Sequence, residues 1–95
     1  MQIEEELQLP SQVLELTDNT FDEAIAKHDY LLVQFYAPWC SYCKEMEPEY
    51  DAAAAALAAQ DPPLTIARID ATVNRGTTDQ LGIKTFPALF FYNKG

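Results

Sequence analysis

Residues 31–44 read Leu31-Leu32-Val33-Gln34-Phe35-Tyr36-Ala37-Pro38-Trp39-Cys40-Ser41-Tyr42-Cys43-Lys44. Leu31 to Ala37 is apolar except for Gln34 and lacks the alternation of a strand with one wet face, which predicts a central strand covered on both sides. Pro38 shapes the turn that follows. Ser41 to about Gln60, with Met46, the Ala52 to Ala56 run, Leu57, Ala58 and Ala59, is rich in strong helix formers. Pro48 removes one backbone donor there and is expected to bend the helix. A buried strand feeding a long helix, with two cysteines at the junction, sets the architecture to be sought in the rest of the chain.

Upstream, Val13 to Thr17 reads as a short strand. Asp18 to Thr20 offers capping side chains, and Phe21, Ala24, Ile25 and His28 recur at the spacing of an amphipathic helix. His28 at its end suits the helix dipole. Downstream, Asp61-Pro62-Pro63 stops the long helix and Leu64 to Ile69 reads as a strand. Arg75 to Leu81 forms a short helix ended by Gly82, and Ala88 to Tyr92 gives a fourth strand. The order β-α-β-α-β-α-β argues for an α/β layer fold, a central sheet with helices on its faces and right-handed crossovers between parallel strands. Residues 1–11 are read as an N-terminal extension and 12–95 as one domain, with no internal repeat or linker.

Ninety-five residues, 48% of them apolar and 22% charged, with only three glycines, describe one globular core. A chain of this size buries roughly 60 to 70% of its unfolded surface. The composition rules out disordered and collagen-like chains. No run approaches the roughly 18 to 20 apolar residues of a spanning helix. Met1 to Leu9 carries Glu4, Glu5 and Glu6 and has neither the basic start nor the apolar stretch of a secretory signal, so a leader is expected to have been removed or never present. A net charge of -9 repels phosphate backbones and anionic lipid head groups, which argues against nucleic-acid and membrane partners.

Cys40 and Cys43, three residues apart at a helix start, bring both sulfurs to one face, close enough to bond with little backbone movement. Free N–H groups and the helix dipole favour a thiolate at Cys40, while Cys43 lies one turn deeper. This pattern suits thiol–disulfide exchange, in which Cys40 forms the mixed disulfide and Cys43 resolves it. Two other readings stay open. A zinc site needs about four ligands, and one distant His28 does not complete the set. A purely structural disulfide is possible too, although closing so short a loop constrains the unfolded chain little.

Phe35-Tyr36-Ala37-Pro38-Trp39-Cys40-x-x-Cys43-Lys44, followed by Pro48-Glu49-Tyr50, resembles a catalytic domain of the protein disulfide isomerase family within the thioredoxin superfamily. Asn19-Thr20-Phe21-Asp22, Ile69-Asp70-Ala71-Thr72 and Gly82-Ile83-Lys84-Thr85-Phe86-Pro87 agree with it, so the resemblance covers about residues 12 to 95. It implies a thioredoxin-like mixed sheet, catalytic Cys40 and Cys43, and a cis Pro87 beside them. It also implies that Phe86 pairs its backbone with an extended substrate, with Trp39, Ser41 and Tyr42 at the substrate edge. For Trp39, simple core packing competes with that reading, and for Tyr42 a plain solvent-facing role does. Lys44 reads as a solvated charge beside the site. No external cofactor or metal is implied, since electrons pass through the cysteine pair. The implied partners are unfolded or misfolded cysteine-containing proteins and glutathione or a thiol oxidase, and the implied compartment is the endoplasmic reticulum lumen.

Three departures from the family pattern carry expectations. The family usually has Gly-His between the cysteines, where this chain has Ser41-Tyr42. Without that imidazole the Cys40 thiolate is less stabilised and the pair more reducing. Gln34 stands where the family has a buried acid beneath the cysteines, and a carboxamide accepts no proton, so release by Cys43 is expected to slow. Last, the family's final strand, final helix and a loop arginine lie beyond the residues seen here. The apolar strand Ala88 to Tyr92 is then an edge open to self-association. The leading reading stays a disulfide oxidoreductase or isomerase acting on cysteines of client proteins. Gln34 and the missing final elements raise the alternative of a peptide-binding holdase-type module with weak redox activity. A cytosolic thioredoxin-like reductant fits less well, because Tyr36-Ala37-Pro38-Trp39 with Pro48-Glu49-Tyr50 resembles the isomerase branch.

Overall fold

A computed structural model describes residues 12–94. The expected extension, residues 1–11, and the signal-like features sought in it lie outside the described residues. In chain order the elements are β1 (Leu14–Leu16), α1 (Phe21–Lys27), β2 (Tyr30–Tyr36), α2 (Ser41–Ala58), β3 (Thr65–Asp70), α3 (Arg75–Gln80) and β4 (Ala88–Asn93). They follow the expected β-α-β-α-β-α-β order, and no further strand or helix follows β4 among the described residues.

The four strands form one sheet in the order β1-β3-β2-β4. β2 pairs parallel with β3, from Leu31 opposite Thr65 to Tyr36 opposite Asp70, and antiparallel with β4, from Tyr30 opposite Asn93 to Phe35 opposite Ala88. β1 adds parallel to the far side of β3. The sheet is therefore mixed, with β2 inside it as its apolar sequence requires.

Side chains of β2 alternate between two cores. Leu31, Val33 and Phe35 are fully buried with Phe21, Ala24, Ala67 and Ile69. Phe35 meets the rings of Phe21 and Phe90 at centroid distances of 6.0 and 5.6 Å. Burying each such side chain contributes about 1.5–3 kcal/mol relative to exposure. On the other face, Tyr50, Ala54 and Ile66 pack with Leu32, Met46 and Leu57 under α2. The Tyr50 hydroxyl donates to the Ala67 carbonyl at 2.8 Å and so pins α2 to β3. α2 runs as one helix through Pro48 and ends at Ala58, two residues short of the expected Gln60.

The capping residues read before α1 act elsewhere. Thr20 holds the N-cap position but makes no side-chain cap bond, and its Oγ1 instead accepts the Thr17 N–H at 2.9 Å. Asp18 reaches the start of α3, accepting the N–H groups of Gly76 at 3.1 Å and Thr77 at 2.9 Å. His28 follows α1 as its C-cap, its Nδ1 3.2 Å from the Thr65 hydroxyl. Gly82, at φ 69°, turns the chain after α3 in a left-handed conformation that only glycine adopts cheaply.

Candidate active site

The C-terminal end of β2 delivers the chain into a tight turn, closed by the Cys40 N–H donating to the Ala37 carbonyl at 3.0 Å. Cys40 is the N-cap of α2, with extended backbone, and its Sγ accepts the Cys43 N–H at 3.1 Å. A sulfur here does the work of a capping hydroxyl and faces the free N–H end of the helix. Cys40 and Cys43 form a disulfide with a Cα–Cα distance of 5.3 Å. In this oxidised form both are buried, Cys40 at 7% and Cys43 at 4% exposure, so the expected contrast in depth is slight.

Trp39 is 70% exposed and meets Phe86 edge-on at 5.8 Å. It is a surface residue at the rim, not part of the core. Phe86 packs in turn against the cluster of Ala37, Cys40 and Cys43, and the Phe86–Pro87 bond is cis, as the resemblance implied. Ser41 and Tyr42 are exposed on the first turn of α2. The expected substrate-edge residues thus lie on two segments, the β2–α2 turn and the loop before β4. The Trp39–Phe86 contact joins these segments.

Behind Cys43 opens a cleft of about 340 Å³, lined by Gln34, Tyr36, Cys43, Lys44, Glu47, Arg68 and Asp70 among others. Gln34 is 3% exposed and points to the α2 side, where its Nε2 donates to Met46 Sδ at 3.6 Å. That contact satisfies the lone polar side chain of the strand's interior without burying a charge. Arg68, opposite Gln34 in the sheet, pairs with Glu15 at 2.7 Å, and Glu15 also accepts the Tyr36 hydroxyl at 2.9 Å. Burial, followed by the Glu15 hydrogen bond, pushes the Tyr36 phenol up to about 12. Burial opposes the Arg68 charge, but Glu15, with smaller contributions from Tyr36 and Glu47, outweighs it and raises its pKa.

The thioredoxin family model matches residues 12–95. This chain belongs to the thioredoxin family. Within the family its likeness is to protein disulfide isomerases. It is 44% identical over 79 residues to protein disulfide isomerase-like 1-3 of Oryza sativa subsp. japonica, which is 81% of this chain and 14% of that protein. It is 40% identical over 86 residues to protein disulfide-isomerase A4 of Homo sapiens, covering 90% of this chain and 13% of that one. The solution structure of the first thioredoxin domain of mouse protein disulfide-isomerase A4 superposes with a TM-score of 0.82. That match has 36% identity and covers 93% of this chain and 63% of the mouse chain. The chain therefore spans only a small part of these curated relatives.

A thioredoxin domain of this kind, with its Cys40–Cys43 disulfide at a helix start, is a thiol–disulfide oxidoreductase domain. The cysteine pair is its redox group, and among the described residues no group of three or more His, Cys, Asp or Glu could hold a metal ion. No helix among them is long and apolar enough to cross a membrane. Sequence reading singled out Gln34 and Lys44 near the cysteines but missed Glu47, Arg68 and Asp70. Glu47 could have been found from its place four residues after Cys43 on the same helix face.

Proposed function

We propose that the domain forms, reduces and rearranges disulfides in cysteine-containing client proteins, with Cys40 as the attacking sulfur and Cys43 as the resolving one. One observation carries the assignment: Cys40 Sγ caps α2 and accepts the Cys43 N–H, so the thiolate released on reduction keeps a donor and the positive end of the helix. Trp39, Phe86 and Pro87, with Ser41 and Tyr42 on the helix side, are the surface that takes an unfolded peptide. Lys44 and Gln34 tune the pair from the cleft. The electrons come from or go to glutathione or a thiol oxidase, with no external cofactor.

The reading extends to residues 12–95 as one such domain of a longer protein in the endoplasmic reticulum lumen. The likeness to protein disulfide isomerases supports that placement, and an oxidising lumen is where client disulfides form and persist. A second copy, pairing along β4, completes the set of partners.

The exposed Trp39, edge-on to the half-buried Phe86, also favours the second reading, a peptide-binding module with weak redox activity. Cys40→Ser separates the two. Rearrangement of a scrambled-disulfide client is expected to vanish in this variant while binding of an unfolded cysteine-free peptide persists. A wild-type domain that binds the peptide and leaves the client's disulfides untouched establishes the binding module instead.

A further inference from the structure

The second cysteine of the pair is a buried thiol that attacks only as a thiolate, so some group must take its proton. The charged and titratable side chains that face its cleft are Tyr36 on β2, Lys44 and Glu47 on α2, and Arg68 and Asp70 on β3, with Glu15 on β1 behind Arg68. Lys44 and Arg68 are cations and accept no proton. Tyr36 already donates its hydroxyl proton to Glu15. Asp70 Oδ1 is engaged by the Thr72 N–H at 2.9 Å and the Thr72 hydroxyl at 2.6 Å. Glu15 is occupied by Arg68 and Tyr36 and does not line the cleft. Gln34 lies on its floor, with a carboxamide turned to Met46.

Glu47 remains. It lines the same cleft as Cys43, follows it by four residues on one helix face, and has no hydrogen bond or ion pair among the described residues. Arg68 lines the same cleft, and Glu47 is one of the charges that favour its cationic form. At about 340 Å³ the cleft is roomy enough for several waters at roughly 30 Å³ each.

We propose that Glu47 is the proton acceptor for Cys43, acting through water in the cleft during resolution of the mixed disulfide; this rests on the oxidoreductase reading above. The Cys43 S–H proton passes by water to the Glu47 carboxylate. The Cys43 sulfur bonds to Cys40 Sγ, the bond from Cys40 to the client sulfur breaks, and the client sulfur leaves with the electron pair as a thiolate. The cysteine pair ends oxidised and the client disulfide reduced. In the reverse direction Glu47 returns the proton to Cys43.

The test follows reduced domain reacting with glutathione disulfide, by rapid acid quench and mass measurement. A first phase adds one glutathione to Cys40, and a second releases it as Cys43 closes the ring. Glu47→Gln is expected to leave the first phase unchanged and to slow the second roughly 10- to 100-fold near pH 7. The gap narrows as pH rises and hydroxide takes over removal of the Cys43 proton. Glu45→Gln, with the same loss of charge on the same helix, is the control and keeps the wild-type second phase. A Glu47→Gln second phase equal to that of Glu45→Gln at every pH overturns the assignment, as does a slowing that does not vary with pH. A wild-type domain that never forms the mixed disulfide overturns instead the oxidoreductase reading beneath it.

Discussion

The Cys40 sulfur has two duties that share one geometry. As part of the disulfide it caps α2 through the Cys43 N–H, and as a thiolate it keeps that donor together with the helix dipole. The two residues between the cysteines add no cation to this arrangement, since Ser41 is neutral and the Tyr42 phenol is 61% exposed in the first turn. Tyr42→His supplies one. A protonated imidazole beside Cys40 stabilises the thiolate, hence the reduced form, and so raises the reduction potential. Because the position is well exposed, screening limits the gain to about 0.5–1 kcal/mol, equivalent to roughly 10 to 20 mV for this two-electron couple. Equilibration against glutathione buffers at pH 6 is expected to read that rise. It shrinks as pH climbs past about 6.5 and the imidazole loses its charge. A potential that stays put or falls shows that the charge at this position does not reach the sulfur.

Among the elements, α3 has the most remote support, since its start is held by Asp18 from the β1–α1 turn rather than by a neighbour in sequence. The Thr77 N–H and hydroxyl, then the Gly76 N–H, hold the Asp18 carboxyl below its ordinary value of 3.8. A lowered carboxylate contributes stability above the unfolded value, and that contribution fades as pH falls through the folded one. Asp18→Ala is therefore expected to lower the melting temperature at neutral pH and to converge with the wild type below pH 3.8. Thermal melts across that range check it, and equal melting temperatures at pH 7 refute it. Asp18 also marks where sequence reading stops. The strands, helices and cysteine turn were legible because periodicity, propensity and the spacing of Cys40 and Cys43 are local. Asp18 looked like a cap for α1, the nearest helix, because its real partners are 58 and 59 residues away. Arg68 was missed for the same reason: it is an ordinary surface charge in sequence, and only the packing of α2 over β2 and β3 puts it on one cleft with Cys43.

At the scale of the whole molecule, β4 and the net charge pull in opposite directions. Among the described residues β4 is an edge of the sheet, with Leu89 49% and Phe91 54% exposed on one of its faces. An edge strand with free backbone groups and an apolar face is a template for a second strand, and a second copy of β4 supplies one. Each copy also carries a charge of -9, so approach is opposed by long-range repulsion until salt screens it. Screening lengths fall from about 10 Å at 0.1 M to about 3 Å at 1 M salt, which removes the repulsion but leaves hydrogen bonds and apolar contacts along β4 in place. The mass measured by sedimentation is accordingly expected to rise with protein concentration, and to rise further at high salt. Phe91→Lys puts a charge on the edge face, outside the buried cores, and is expected to hold the mass at that of one chain under both conditions. A wild-type mass that stays at one chain across concentration and salt means that β4 is not a self-association edge, and that the exposed Leu89 and Phe91 do not recruit a second copy.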